Sequence, residues 1–316
     1  MKTVIVLLVV AASLSAQARI HSASKGALPD GVSAKDVRFY SEGIECYGRI
    51  FTPHEFQADG KTPAVVLAPG WGETAASIEK YGAQFAARGL VAMIIDYRGW
   101  GKSGGFLQTV EAVKTDDRLR FSQMTTRVRI RRKRLIPQQQ VLDIRNALYY
   151  LQGEAGVDRA RVGVWGTGMS GGHVIVVAAT DARIKAAVAQ TPVIDGKDLP
   201  RKASAPTGAL LRAEQRRART GEVPISAADA ETRLALAEYH PFWFVEQISK
   251  TTAVLFVIAE EVGGVKNDTG ARAASKLLKG PTDVVSIAGV TSTRVNNGTA
   301  FAAAAKAAAD WFLKQL

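Results

Sequence analysis

The chain has 316 residues, with 41 Lys+Arg against 29 Asp+Glu, and 47% of its residues are hydrophobic. This composition is typical of a globular protein with a sizeable core, and it excludes a disordered chain, while a single cysteine excludes an intrachain disulfide scaffold. The net charge of +12 favours acidic partners or surfaces and carries no information about the fold.

The first eighteen residues resemble a targeting segment. Lys2 is followed by an unbroken apolar run, Val4–Val10, and then by the small-x-small pattern of Ala16–Ala18. This pattern is typical of a secretory signal peptide, and it is shorter than the roughly 20 residues of a membrane-spanning helix. We therefore expect an exported protein, periplasmic or secreted, whose mature chain starts near Arg19 and does not span the membrane. A retained membrane anchor is the alternative interpretation.

The remainder, residues 19–316, alternates between strand-like and helix-like segments. Val37–Phe39 and Ile44–Ile50 alternate in polarity and predict an antiparallel hairpin. Short continuous apolar runs then predict strands that are buried on both faces of a parallel sheet. These runs are Ala64–Ala68, Leu90–Ile95, Val162–Trp165, Ile184–Ala189, Ala253–Ile258 and Val284–Ala288. Predicted helices lie between them at Ala75–Arg88, Gln138–Leu151, Gly171–Ala179, Thr269–Leu278 and Thr299–Leu316.

One segment interrupts this alternation. Residues 197–240 contain Pro200, Pro206 and Pro224, many alanines and many basic residues, and they are too numerous for a simple loop. We predict a small helical cap that is inserted over the carboxyl edge of the sheet, where folds of this class place their sites.

Three glycine-rich segments identify a known family. They are Leu67–Thr74, Asp96–Gly105 and Val162–His173, and each follows or ends a predicted strand. Together with Asp143–Leu148 they resemble the α/β-hydrolase superfamily, with the dienelactone-hydrolase and acyl-esterase-like bacterial proteins as the closest branch. The resemblance implies an α/β fold, with a mostly parallel central sheet and helices on both faces. It also implies a Ser, Asp/Glu and His triad in that chain order.

The nucleophile turn can be aligned in two registers. In the first, Gly166–Ser170 forms the turn and Gly168 occupies the nucleophile position. In the second, Gly168–Gly172 matches the Gly-x-Ser-x-Gly motif literally and Ser170 is the nucleophile. We favour the first register, because relatives place the nucleophile directly after the Gly-x pair that ends the strand.

The other two triad positions are also substituted in the favoured alignment. The resemblance places the acid at Val262, with Glu261 one residue away, and it places the histidine at Ser292. No histidine follows His240 in the chain. A serine without an adjacent base is a weak nucleophile at neutral pH.

The remaining histidines offer one substitute base. His173 lies in the helix after the turn, where relatives also carry histidine, so we expect a packed side chain whose hydrogen bonds are satisfied. His240 lies at the end of the predicted cap, and among the four histidines it is the best candidate for a relocated base, although a structural role fits it better.

The backbone anion hole does not depend on side chains. The resemblance assigns its two donors to the N–H groups of Trp71 and Met169, beside Gly70, and the helix that starts near Met169 adds a positive end. Trp71, Trp100 and Phe242 are candidate apolar walls for a ligand, or alternatively ordinary core residues.

Two basic clusters remain to be explained. The first comprises Arg127, Arg129, Arg131, Arg132, Lys133 and Arg134. The second comprises Arg201, Lys202, Arg212, Arg216, Arg217 and Arg219. They fit either a solvated face, with residues 127–131 as an edge strand, or a surface for anionic envelope components. No motif indicates nucleic-acid binding, a metal site or a cofactor.

Three functional hypotheses follow. The leading one is a hydrolase-fold protein that has lost its triad and binds a small or acyl-type ligand in the remaining pocket. The second is an active ester or lactone hydrolase that uses Ser170 with His240 and Glu261. The third is a protein that acts through its basic surface.

Overall fold

The computed structural model describes residues 27–114, 118, 121–196, 215–216, 219, 230–260 and 268–316. Its strands are β1 (Ser33–Ser41), β2 (Ile44–Thr52), β3 (Thr62–Ala68), β4 (Val91–Ile95), β5 (Phe106–Thr109), β6 (Val128–Arg131), β7 (Val157–Thr167), β8 (Ile184–Gln190), β9 (Ala253–Ala259) and β10 (Thr282–Ile287). Its helices are α1 (Ala75–Ala87), α2 (Pro137–Gln152), α3 (Met169–Thr180), α4 (Ala230–Ala237), α5 (Asp268–Ser275) and α6 (Gly298–Gln315).

Eight strands form one sheet in the order β1-β2-β4-β3-β7-β8-β9-β10. The predicted hairpin is confirmed, since β1 and β2 pair antiparallel around Glu42 and Gly43, whose φ angles of 48° and 77° make the tight turn. β2 pairs antiparallel with β4, and all later neighbours in this sheet are parallel. The predicted α/β-hydrolase fold class is therefore confirmed.

Helices cover both faces of this sheet, which explains why its central strands read as continuous apolar runs. On one face α2, α3 and α5 pack against the sheet, with Ile144 and Val174 in the core. On the other face α1 and α6 pack through Phe85 and Phe312, whose ring centroids lie 5.8 Å apart. The carboxyl ends of β3, β7 and β8 consequently open at one edge between the two helical layers.

Some element boundaries differ from the sequence expectation. β7 begins at Val157, five residues earlier than predicted, because residues 158–161, none of which is buried, extend the strand past the buried part of the sheet. α5 ends at Ser275 and not at Leu278, and a 3-10 helix, Pro241–Gln247, was not predicted. The predicted edge strand at 127–131 is found as β6, and its unpredicted partner β5 forms a separate two-stranded sheet with it.

Two predicted segments fall largely outside the described residues. The signal peptide, residues 1–18, lies entirely outside them, so export stays a prediction. Of the predicted cap at 197–240, the structure describes residues 215–216 and 219, α4, and the residues from α4 to 240. The N–H of Gly196 donates to Tyr239 O over 2.8 Å, so the two ends of this segment lie side by side. Among the helices of the described residues, none is long and apolar enough to cross a membrane.

The turn after β4 is fixed to the sheet by a buried carboxylate. Asp96 Oδ1 accepts a hydrogen bond from the N–H of Ala75 at 2.6 Å, and Oδ2 accepts one from the N–H of Lys102 at 2.7 Å. Arg98 forms a buried ion pair with Asp143 of α2, with an Nη2–Oδ1 distance of 2.7 Å. The hydrogen bond to Ala75 fixes the first turn of α1. Because the loop after β3 leads directly into α1, it is thereby held beside the end of β7.

Candidate functional site

The turn between β7 and α3 carries Gly168 at its tip. Gly168 has φ 58° and ψ −118°, which L side chains adopt only with strain. Its N–H donates to Gln190 O at 2.9 Å, and its carbonyl accepts from the N–H groups of Gly171 and Val193, each at 3.0 Å. A methyl group added at Gly168 would meet nothing closer than Gly70 Cα, 4.0 Å away. The tip of the turn therefore faces open space and bears no side chain.

The neighbouring glycines are required by close approaches of the backbone. A Cβ on Gly166 would lie 2.2 Å from the carbonyl oxygen of Ser170. A Cβ on Gly172 would lie 2.3 Å from the carbonyl oxygen of Val193. Both distances exclude any side chain, so these glycines allow the strand and helix to pack into a sharp turn. The last glycine of the literal Gly-x-Ser-x-Gly match, Gly172, is thus required for packing.

Ser170 lies beneath this turn, in the first turn of α3, and is completely buried. Its hydroxyl donates a hydrogen bond to Pro69 O. Because that donation uses the single proton of the Ser170 hydroxyl, Ser170 Oγ is the acceptor of the second hydrogen bond, which the Tyr97 hydroxyl donates over 2.6 Å. Burial raises the pKa of Tyr97, so this phenol stays protonated and remains a donor. The hydroxyl proton of Ser170 is thus committed to a backbone carbonyl.

His173 is packed as the sequence predicts. Its Nε2–H donates to Gln140 Oε1 at 2.9 Å, and its Nδ1 accepts from the hydroxyl of Tyr239 at 2.6 Å. Burial lowers the pKa of His173 to about 3, so the ring is neutral at physiological pH. Both ring nitrogens are occupied by structural partners.

A cavity of about 280 Å³ lies directly above Gly168. Its size suits a ligand of a few heavy atoms, and its walls combine apolar and hydroxyl-bearing side chains with backbone groups. The cavity is lined by Gly70, Trp71, Glu73, Thr167, Gly168, Met169, Thr191, Val193, Ser292, Thr293 and Asn296.

The two residues that the resemblance assigns to the anion hole are both found at this cavity. Trp71 and Met169 both line it, and within the described part of the chain neither backbone N–H has a hydrogen-bond partner. Met169 is also the first residue of α3, so its N–H belongs to the positive end of that helix. The N–H of Gly70 is not available, because it donates to Glu73 Oε2 at 3.0 Å. Two backbone donors without a partner in the described residues therefore belong to residues of one cavity wall, which is the pair that the resemblance implies for an anion hole.

A carboxylate lies at the same cavity. Glu73 lines the wall and accepts hydrogen bonds from the N–H of Gly70 and from Ser77 Oγ, the latter at 3.3 Å. A second negative charge placed near this side chain would be repelled. The cavity thus combines a carboxylate on its wall with the backbone N–H donors of Trp71 and Met169.

The position that the resemblance assigns to the triad histidine also lies at the cavity. Ser292 lines it together with Thr293 and Asn296, in the segment between β10 and α6. Asn296 Oδ1 accepts hydrogen bonds from Tyr81 Oη at 2.9 Å and from Gln190 Nε2 at 2.8 Å. The structure thus brings Ser292 and Gly168 to one cavity. The other two candidate residues, Glu261 and Val262, lie outside the described residues.

His240 is paired with a carboxylate away from this cavity. Its Nδ1 lies 2.7 Å from Asp195 Oδ1, and its ring lies against Trp243 with 4.3 Å between centroids. Neither His240 nor Asp195 is among the lining residues of the cavity. Ser170 has no histidine among its hydrogen-bond partners, so the structure does not bring Ser170 and His240 together.

Trp100 was predicted to form a wall of the pocket, but the structure places it elsewhere. Its indole N–H donates to Arg134 O at 3.1 Å, and the residue does not line the cavity. The turn that carries it is drawn toward the β5–β6 sheet, since the N–H of Lys133 donates to Gly99 O at 2.9 Å. Phe242, the other candidate wall, packs partly buried against the core beside α3.

The sequence analysis did not single out six of the lining residues: Glu73, Thr167, Thr191, Val193, Thr293 and Asn296. Thr191 has φ 41°, an unfavourable conformation for a β-branched residue, which no sequence signal announces. The sequence did indicate a role for Glu73 in this turn, since a carboxylate three residues after a glycine can accept a hydrogen bond from the N–H of that glycine. Among the described residues, no cluster of His, Cys, Asp and Glu could hold a metal ion.

Comparisons with known proteins agree with this architecture. The profile of the family described as acetyl xylan esterase (AXE1) matches residues 15–199, more than half of the chain. The quorum-quenching protein AidA of Acinetobacter baumannii is 28% identical over 162 residues, which cover 51% of this chain and 44% of the relative. The thiohydrolase AneE of Aspergillus aculeatus is 24% identical over 162 residues, covering 51% and 42%. The chain thus spans less than half the length of these curated relatives.

Solved structures resemble the whole fold. The hypothetical protein PA2218 from Pseudomonas aeruginosa has a TM-score of 0.71 at 17% identity, covering 92% of this chain and 96% of its own. DcsB, solved with a substrate analogue, has a TM-score of 0.69 at 19% identity, covering 90% and 99%. An acetyl xylan esterase from Paenibacillus sp. R4 has a TM-score of 0.58 at 19% identity, covering 93% and 87%. From the profile match and this shared fold, the chain belongs to the acetyl xylan esterase (AXE1) family of α/β hydrolases.

Proposed function

We propose that this α/β hydrolase has lost serine-hydrolase catalysis and binds a small, neutral acyl compound in the cavity above Gly168. The observation that carries the proposal is the turn itself. Its tip holds a glycine, while the backbone N–H groups of Trp71 and Met169 beside it have no partner within the described residues. A carbonyl oxygen can be held there, but no side chain is present to attack it.

The neighbouring serines support the loss of catalysis. Ser170 is buried and its proton is committed to Pro69 O, so it cannot reach a carbonyl in the cavity without leaving its hydrogen bonds. Ser292 lines the cavity where relatives hold the base, and a serine hydroxyl does not accept a proton at neutral pH. We therefore do not propose a rearranged triad of Ser170, His240 and Glu261.

The charge and chemistry of the walls support a neutral acyl ligand. Glu73 disfavours a carboxylate, whereas the two free N–H donors favour a carbonyl oxygen. The hydroxyl groups of Ser292 and Thr293 on the same wall suit a ligand with a second polar atom, such as an amide, ester or lactone.

Thermal unfolding of the protein in the presence of butyramide, γ-butyrolactone and sodium butyrate tests the proposal. Butyramide and the lactone should raise the unfolding midpoint more than butyrate does. At a ligand concentration about 100 times the Kd the expected stabilisation is ~2.7 kcal/mol, or about 5 °C. Glu73→Gln should narrow the difference between butyramide and butyrate, because it removes the repelling charge and retains an acceptor for the N–H of Gly70.

A matched pair of variants locates the binding. Ser292→Trp should fill the cavity and abolish the shift, whereas Thr299→Trp, on the exposed first turn of α6, should leave it unchanged. Equal shifts in the two variants, or steady turnover of the lactone that Ser292→Trp abolishes, would overturn the proposal.

A further inference from the structure

The cavity above Gly168 contains two buried threonines that the proposed function does not use. Thr167 is the last residue of β7, and Thr191 directly follows β8. Because Thr167 lies opposite Gln190 in the β7–β8 ladder, the two threonines come from adjacent strand ends. Both line the cavity, and each is only 4% exposed. We name Thr167 and Thr191 the threonine pair.

The hydroxyl groups of the threonine pair have no hydrogen-bond partner within the described part of the chain. Some other buried polar atoms there also lack a partner but are sealed from solvent, such as Trp165 Nε1, and neither threonine hydroxyl belongs to that sealed group. A hydroxyl that lacks a partner and is not sealed retains contact with open space. The cavity is the open space that both residues line, so we infer that both hydroxyls face it.

The other hydroxyl-bearing residues of the cavity are less buried. Ser292 is half-buried and Thr293 is exposed, so water can stay bound to their hydroxyls when a ligand enters. The threonine pair is almost completely buried, so a ligand that displaces water from the cavity also removes the solvent partners of these two hydroxyls. A buried hydroxyl without a partner costs free energy, and this cost disfavours a ligand that is purely apolar at this point.

Thr191 is held at the cavity in an unfavourable backbone conformation. Its φ of 41° lies in the left-handed region, which a β-branched residue rarely adopts. Its N–H donates to Val257 O at 2.6 Å, which attaches the residue to β9. Strain of this kind is concentrated at functional sites, where the surrounding structure maintains it. A role for Thr191 in ligand recognition agrees with this conformation.

The hydrogen-bonding capacity of the threonine pair indicates which ligand group satisfies it. A threonine hydroxyl donates one hydrogen bond and also accepts. A ligand carbonyl oxygen only accepts and an ammonium group only donates, whereas a hydroxyl group does both without carrying charge. We propose that the acyl compound in this cavity carries a hydroxyl group, which accepts a hydrogen bond from one residue of the threonine pair and donates one to the other. The inference rests on the proposed function, because the carbonyl oxygen of the same compound is placed at the N–H groups of Trp71 and Met169.

Unfolding midpoints of the full chain in the presence of simple amides test this inference. Butyramide is compared with both enantiomers of α-hydroxybutyramide and of β-hydroxybutyramide. The Kd of each compound is obtained from the dependence of the midpoint on its concentration. At least one hydroxylated amide should bind about tenfold more tightly than butyramide, because it provides the hydrogen bonds that butyramide leaves unmade.

Valine variants show whether the threonine pair causes this preference, because valine removes the hydroxyl and retains the branched shape. Thr167→Val and Thr191→Val should each weaken the preference for the hydroxylated amide, and the double variant should abolish it. Neither substitution removes a hydrogen bond within the described residues, so the midpoint without ligand should not fall. Thr191→Ser retains the hydroxyl and should retain the preference.

Thr252→Val is the matched control. Thr252 is also 4% exposed, but its hydroxyl donates to Ile184 O at 3.0 Å, and it is not among the lining residues of the cavity. Ile184 is the first residue of β8, so this hydroxyl lies at the opposite end of the strand from Thr191. Thr252→Val should lower the midpoint without ligand and leave the preference for the hydroxylated amide unchanged.

The outcomes distinguish this inference from the proposed function. A preference that is lost in the double valine variant and retained in Thr191→Ser and Thr252→Val supports the inference. If every hydroxylated amide binds no more tightly than butyramide, or if the preference persists in the double valine variant, the inference is wrong and the proposed function is unaffected. If none of the amides changes the midpoint, the proposed function itself is wrong, and this inference with it.

Discussion

The two sides of the turn that carries Gly168 differ in how their polar groups are satisfied. Beneath the turn, Ser170, Tyr97 and His173 are fully buried or nearly so, and every polar atom named in their network has a partner. Above it, the N–H groups of Trp71 and Met169 have no partner within the described residues. The polar groups of the lower side are therefore satisfied within the protein, whereas the upper side has two donors that are available to the ligand that we propose.

Under the proposed loss of catalysis, this difference explains how the hydrolase fold is retained. A buried polar group without a partner costs folding free energy, so the residues beneath the turn are needed whether or not the protein catalyses a reaction. Gly168 and Ser292, the positions that the resemblance assigns to the nucleophile and the base, line the cavity and take no part in this buried network. On our proposal, the two catalytic side chains are therefore absent while the supporting network is intact.

The largest expected effect concerns His173. Its pKa is lowered to about 3 by burial, against an ordinary value of 6.5, so the unfolded chain takes up the proton first. Burial of the neutral ring therefore contributes its full free energy of unfolding above about pH 6.5. As the pH falls from there to about 3, this contribution decreases by about 1.4 kcal/mol per pH unit. Urea denaturation at about pH 7, 6 and 5 measures this slope.

A variant without a titratable group at position 173 shows whether His173 causes this dependence of the unfolding free energy on pH. His173→Gln should lower stability at neutral pH but flatten the acid slope by one proton, since glutamine stays neutral in both states. A variant that loses stability with the same slope as the wild type would show that His173 is not the group responsible.

The next effect separates the two serines. Ser170→Ala leaves the hydroxyl of Tyr97 and the carbonyl of Pro69 without their buried partner and should cost about 1–3 kcal/mol of unfolding free energy. Ser292→Ala should change stability by no more than about 0.5 kcal/mol, because Ser292 faces the cavity. If denaturant titrations gave the same loss of unfolding free energy for both variants, the proposed difference between the two sides of the turn would be wrong.

Much of the fold was predictable because it depends on patterns that repeat along the chain. The apolar runs that became β3, β4, β7, β8 and β9 are buried on both faces, which leaves a strong local signal. The tip position of Gly168 was also predictable, since the end of β7 fixes where the sharp turn falls. The packed state of His173 followed from its place in the helix after the turn.

The missed features depend on contacts between distant segments. β5 is a four-residue strand with no buried face, and it exists as a strand because β6, about 20 residues later, pairs with it. Trp100 was predicted at the pocket, but its indole donates to Arg134 O across the turn. Thr191 and Asn296 reach the cavity from the ends of different elements, so their proximity has no signature in local sequence.

Labelling with a fluorophosphonate, read by intact mass, tests the central claim most directly. It compares the wild-type protein with Ser170→Ala, each shown to be folded by a cooperative thermal transition. The account predicts no adduct on either protein, because the turn presents Gly168 to the cavity and Ser170 is buried beneath it. An adduct on the wild type that disappears in Ser170→Ala would show an activated serine and contradict the account.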